Sequence, residues 1–187
     1  MTTTTLALIR HGQTDWNAMM RIQGSTDIPL NDTGRQQARD AAASLVATDW
    51  DLVVSSPLSR AAETADIIAT ALGFTVSERL PELAERHYGP AEGLSGGEEL
   101  DALREPGGFR GAEPETSVVG RGIRSLSALA ERHPGARILV VSHGALIRLT
   151  TTELLGEPVE PIDNAALTLI RHRPQSWSVE LVNGSPV

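Results

Sequence analysis

Two histidines and two arginines stand where short apolar runs end, and together they suit the handling of a tetrahedral dianion such as phosphate. Leu6-Ala7-Leu8-Ile9 leads into Arg10-His11-Gly12, and Ile138-Leu139-Val140-Val141 leads into Ser142-His143-Gly144. Leu52-Val53-Val54 leads into Ser55-Ser56-Pro57, with Arg60 in the turn that follows. An imidazole can act as nucleophile or proton carrier near neutral pH. Guanidinium groups grip tetrahedral anions through a fixed fork of N–H donors. Each residue also has a plainer reading: a structural histidine, a surface arginine, a glycine that only forms a turn. The strand-His-Gly pattern occurring twice, with arginines to match, favours chemistry.

Other chemistries find less support. With no cysteine, disulfides, thiolate nucleophiles and thiolate-bound metals are excluded. His11 and Asp15 have helical spacing, but no further ligand cluster completes a metal site. The Gly-rich, Lys-containing phosphate loop is absent.

The apolar runs are too short for helices and read as strands buried on both faces. Between them lie helical patterns. Asn31 is an N-cap candidate before Ala38, Ala41, Ala42, Leu45 and Val46, and Ala61 to Leu72 stops at Gly73. Val119, Ile123, Leu126 and Ala130 mark a helix closed by His133-Pro134-Gly135, and Gly144 to Leu155 stops at Gly156. Ala166 to Arg171 and Trp177 to Val182 read as strands of a hairpin. Strand alternating with helix implies a three-layer α/β/α fold on a mainly parallel central sheet. Ligands of such sheets bind at the carboxyl ends of the strands. If the three strands are parallel neighbours, Arg10, His11, Arg60 and His143 converge. A helix starting at Gly144 would then aim backbone N–H groups at the same anion. Ser95 to Glu115, rich in Gly and Pro, reads as an irregular surface excursion over the site.

At 187 residues, 40% hydrophobic and 21% charged, the chain fits a single globular domain over 1–187. A net charge of -8 argues against nucleic acid or an anionic membrane as partner. Met1 to Thr5 has no signal-peptide character and no apolar run would span a bilayer, so a cytoplasmic protein is expected. Nothing in the sequence specifies an oligomeric state, and a dimer is compatible with it.

The chain resembles the histidine phosphatase superfamily, whose other name comes from its phosphoglycerate mutase members. Arg10-His11-Gly12-Gln13-Thr14-Asp15-Trp16-Asn17 matches the family signature R-H-G-x-T-x-x-N. Gln23-Gly24, Ser55 to Ala65, Glu85-Arg86-His87-Tyr88-Gly89 with Glu92-Gly93, and Val141-Ser142-His143-Gly144 follow in family order. The resemblance implies a phosphoglycerate mutase-like fold and no metal or organic cofactor. It makes His11 the nucleophile, Arg10, Arg60 and His143 its phosphate-holding partners, and Glu85 the general acid and base. Glu82, three residues earlier, is the nearest competitor. It also places Asn17, Gln23, Gly24 and the start of the helix at Gly144 along the pocket. Tyr88, with Arg104, Phe109 and Arg110, is expected in the selective wall, where family members differ. His87, His133 and His172 receive no role.

The Glu85 to Gly89 string looks like the mutases. Those enzymes carry a lysine soon afterwards and adjacent arginines in a longer insert, whereas Ser95 to Glu115 holds only Arg104 and Arg110. Hydrolysis of a small phosphorylated metabolite is therefore expected over mutase-type transfer, with a non-catalytic phosphate-binding protein as a third reading.

Overall fold

The computed structural model describes residues 2–187. In chain order the elements are β1 (Thr4–Arg10), α1 (Asp15–Ala18), α2 (Asp32–Leu45), β2 (Leu52–Ser55), α3 (Ser59–Ala71) and β3 (Val76–Arg79). Then come α4 (Glu98–Asp101), β4 (Arg104–Glu105), β5 (Gly108–Phe109), α5 (Glu115–Arg132), β6 (Arg137–Ser142) and α6 (Gly144–Leu155). The chain ends with β7 (Leu167–Arg173), β8 (Ser176–Val182) and β9 (Ser185–Pro186).

The main sheet runs β3-β2-β6-β1-β7-β8-β9. Its first four strands are mutually parallel, and the hairpin β7-β8 with β9 extends it antiparallel. Because strand side chains alternate, each central strand feeds two cores. Leu6 and Leu8 of β1 join Ile138 and Val140 of β6 beneath α5 and α6. Ala7 and Ile9 join Leu139 and Val141 beneath α2 and α3. The three expected layers follow. Among the described residues no helix is long and apolar enough to cross a membrane.

Local chemistry sets the helix ends. The Asn31 side chain accepts from the Gly34 amide at 2.9 Å and caps α2. Gly156 ends α6 at φ +80°, which a Cβ would disfavour. In α5 the buried residues are Val118, Gly122, Ser125, Leu126, Leu129 and Ala130, so the expected Leu126 and Ala130 face the core while Val119 and Ile123 are only partly buried. Gly122 lies against the Thr150 hydroxyl of α6, so close interhelical packing turns the helix. Ser95 to Glu115 differs from expectation as well. It folds into α4 and the β4-β5 hairpin, with Leu100 and Leu103 buried against Ala91, Ile22, Tyr88 and Phe109.

Candidate active site

Parallel pairing levels the three strand ends. Arg10 of β1 stands opposite Ser142 of β6, and Ser55 of β2 opposite Val141. The residues just beyond continue the ladder: the His11 amide donates to the Ser142 carbonyl (3.0 Å), and the Ser56 amide to Val141 (2.9 Å). His11, Ser56 and His143 thus emerge side by side, all buried, with the two imidazole centroids 5.2 Å apart.

Backbone contacts orient His11. Its Nδ1 lies 2.7 Å from the Gly12 carbonyl, which can only accept. Nδ1 therefore carries the proton, and Nε2 presents a lone pair. Gly12 is held in turn: its amide donates to Thr64 Oγ1 (3.1 Å), whose hydroxyl donates to the Arg60 carbonyl (2.7 Å). A Cβ on Gly12 would strike the Gly34 carbonyl at the start of α2, so this glycine serves close backbone approach rather than a turn.

Arg60 at the start of α3 is fully buried, not a surface charge. Its Nε is 3.3 Å from His11 Nε2, while its two terminal nitrogens donate to the carbonyls of Thr26 (3.1 Å) and Gly24 (2.7 Å). Burial, then Arg60, then Arg10 hold the His11 pKa well below the ordinary histidine value, against the opposing pull of the Gly12 hydrogen bond. Burial likewise depresses His143, helped by Arg60, His11 and Arg10. Both rings are neutral at neutral pH.

Arg10 donates from one terminal nitrogen to the Ile162 carbonyl (2.6 Å). Its Nε and His143 Nδ1 are buried and, among the described residues, have no hydrogen-bond partner. Gly144 carries the Arg10 guanidinium against its backbone: a Cβ there would lie 3.2 Å from Nε. Such orphaned buried polar atoms are uncommon and ask for a ligand.

Glu85 lies just beyond Leu83, whose carbonyl accepts from Ser142 Oγ (2.8 Å). The carboxylate is 9% exposed and takes the amides of Arg86 (2.8 Å), Ala145 (3.1 Å) and Leu146 (3.2 Å). This corrects the expectation for α6. The Ala145 and Leu146 N–H groups are engaged by Glu85, because an acid at a helix N-terminus satisfies both donors and the dipole. Glu82 is exposed, with its carbonyl held by Arg121 (2.7 Å).

The remaining expected residues fall in two groups. Asn17 closes a capping box with Thr14, and its Oδ1 takes the Thr14 amide (3.1 Å) and the Asn164 amide group (3.2 Å), leaving Nδ2 as donor. Gln23 Oε1 similarly accepts from Thr14 Oγ1 (2.7 Å). Gly24 contributes its carbonyl to Arg60 and has no room for a side chain against Glu92 and the Arg86 carbonyl. Tyr88 is half-buried, packs edge-on to Phe109, and has its pKa pushed up to about 12 by burial and then by the Glu85 charge. Arg104 and Arg110 are exposed, and Arg104 is paired with Asp101 (3.0 Å). The Arg86 and Arg148 charges oppose the rise at Tyr88. His11 and Asp15 do not form a metal pair: Asp15 is exposed and accepts from Asn31, and no metal-holding cluster occurs among the described residues.

Several supports escape sequence reasoning. Glu92 takes the amides of Ser25 (3.0 Å), Thr26 (2.8 Å) and Tyr88 (2.9 Å), fixing the loop whose carbonyls hold Arg60. Arg86 ties the excursion down through the carbonyls of Glu113 and Gly107 (2.8 and 2.6 Å) and the Glu115 carboxylate (2.9 Å). Asn164 donates to the His11 carbonyl (3.1 Å). Thr64, four residues after Arg60 on one helix, carried a spacing signal. Asn164 carried none.

The chain is similar in sequence and overall structure to several phosphatases. An uncharacterized phosphatase, PhoE, from Bacillus subtilis is 36% identical over 96% of this chain and 94% of its own. A metal-independent phosphoserine phosphatase from Arabidopsis thaliana is 31% identical over 95% of this chain and 80% of its own. The solved mycobacterial glucosyl-3-phosphoglycerate phosphatase superposes with a TM-score of 0.85 at 28% identity, covering 98% of this chain and all of that one. The family model described as histidine phosphatase superfamily (branch 1) matches residues 6–185, and the chain belongs to that superfamily.

Proposed function

We propose that the chain is a phosphomonoesterase that hydrolyses a small phosphorylated metabolite through a phosphohistidine on His11. The carrying observation is His11 Nε2, left unprotonated by the Nδ1–Gly12 bond and accepting from Arg60 Nε, beside the unpartnered Arg10 Nε and His143 Nδ1. Nε2 attacks phosphorus as the ester P–O bond breaks, and the leaving oxygen takes a proton from Glu85. Water then attacks phosphorus, gives its proton to Glu85, and the P–N bond breaks to release phosphate and restore His11. Arg10, Arg60 and His143 hold the three outer oxygens, whose charge redistributes in both steps. Asn17 and Gln23 add amide donors at the mouth. The reading takes the chain as one domain acting in the cytoplasm on a soluble substrate.

Substrate preference is assigned to the wall of Tyr88 and Arg148. The named substrates of the two characterised relatives, phosphoserine and glucosyl-3-phosphoglycerate, are phosphate esters bearing a carboxylate. Hydrolysis is favoured over mutase transfer because Arg86, the cation in the mutase-like string, is committed to the backbone of the excursion. The test is phosphate release from a panel of monoesters without added metal, wild type against His11→Ala, with phosphoglycerate interconversion followed alongside. Release that is lost in His11→Ala supports the reading; interconversion outpacing release overturns it.

A further inference from the structure

A neutral imidazole has one N–H, and which nitrogen bears it decides what the ring can offer an anion. His143 Nε2 lies 2.7 Å from Ser56 Oγ, and both residues are wholly buried. The Ser56 oxygen also accepts the Leu58 amide at 3.3 Å, a two-residue local turn. With that acceptance made, the hydroxyl proton has His143 Nε2 as its acceptor. The opposite arrangement would give Ser56 Oγ two donors and no outlet for its own proton.

We infer that Ser56 is a positioning residue that locks His143 in its Nδ1–H form, so that the orphaned Nδ1 donates to a phosphoryl oxygen. This rests on the phosphatase reading for its purpose, though the tautomer is a property of the resting protein. The two active-site rings then share one tautomer and play opposite parts. In His11 the Nδ1–H is spent on Gly12, which exposes a nucleophilic Nε2. In His143 the Nε2 is spent on Ser56, which exposes a donating Nδ1. A backbone carbonyl sets the first and a hydroxyl the second. A donor preset in this way needs no reorganisation as charge develops on the phosphoryl group.

The experiment is two-bond ¹H–¹⁵N correlation of the histidine rings in the resting enzyme at neutral pH, with His143 assigned by its loss in His143→Asn. The expected spectrum shows a protonated Nδ1 and an unprotonated, hydrogen-bonded Nε2. A protonated Nε2 in the wild type overturns the inference, whatever the enzyme hydrolyses. In Ser56→Ala the ring should become a tautomer mixture and kcat should fall on the order of ten-fold, in proportion to the lost competent fraction, with the mid-pH plateau kept in place. Ser56→Ala with an unchanged His143 spectrum and unchanged kcat also overturns it. A wild-type spectrum as expected in a protein lacking phosphatase activity would sink the functional reading alone.

Discussion

The Nε of Arg60 lies 3.3 Å from the Nε2 of His11, and neither side chain reaches solvent. A permanent cation this close resists a second positive charge on the ring. Burial acts in the same direction, so protonation that would silence the nucleophile is opposed twice. The carbonyls of Gly24 and Thr26 keep the guanidinium from swinging away.

This sets the acid behaviour of the enzyme. The nucleophile should stay unprotonated well below pH 6.5, so kcat/KM, corrected for substrate ionisation, should hold on the acid side of that value. Stability should not hold. His11 and His143 are neutral when folded and take up protons near pH 6.5 when unfolded, so the unfolded state binds more protons below that pH. Each ring then removes at most about 1.4 kcal/mol per pH unit as pH falls from 6.5 toward the depressed folded values. Urea titrations between pH 7 and 5 measure this; a flat stability profile there contradicts it.

Glu85→Gln keeps an acceptor for one α6 amide but cannot deliver a proton. Turnover of alkyl phosphates should drop by roughly 10²–10⁴. An aryl phosphate, whose leaving oxygen needs little protonation, should lose far less in the phosphorylation step. The comparison is made by single-turnover kinetics on both esters. Equal losses would mean that Glu85 acts on binding or folding instead.

The strands carrying this site were legible because buried parallel strands are short, wholly apolar and followed at once by polar residues. The helix from Gly144 to Leu155 was equally plain, with a glycine at its stop. The excursion was not: its small core is made by Leu100 and Leu103 with Ile22 and Phe109, partners distant in sequence. Ser56 and Asn164 stayed hidden for the same reason, since their contacts to His143 and His11 cross 87 and 153 positions. Type and spacing picked out the residues proposed to react. They did not locate the atoms that orient them.

Glu92 acts at one remove. Burial raises its carboxyl pKa, but hydrogen bonds from Thr26, Tyr88 and Ser25 outweigh this and hold it below the ordinary value. Its support for the Arg60 loop is therefore present above the unfolded glutamate pKa and lost as pH falls through the lower folded one. Glu92→Gln should loosen that loop and raise KM several-fold while leaving His11 phosphorylation chemistry intact. Steady-state kinetics with inorganic phosphate as competitive inhibitor read it, through a parallel rise in Ki. A pure kcat loss with unchanged Ki would place Glu92 elsewhere in the mechanism.

The two glycines that follow the active-site histidines look equivalent in sequence and are not. A methyl group on Gly12 meets the Gly34 carbonyl and Cα, backbone on both sides, with β1 and α2 fixed by the core behind them. Gly12→Ala should cost on the order of 1–3 kcal/mol. It should also depress kcat, because the displaced Gly12 carbonyl is what fixes His11 Nδ1. At Gly144 the nearest atom is Arg10 Nε at 3.2 Å, the end of a flexible side chain, and alanine suits the first turn of a helix. Gly144→Ala should leave stability nearly unchanged and instead weaken phosphate binding as Arg10 shifts. Urea midpoints and phosphate inhibition constants for the pair separate the two effects. If Gly144→Ala is the less stable protein, the close approach of β1 to α2 is not what demands the glycine at position 12.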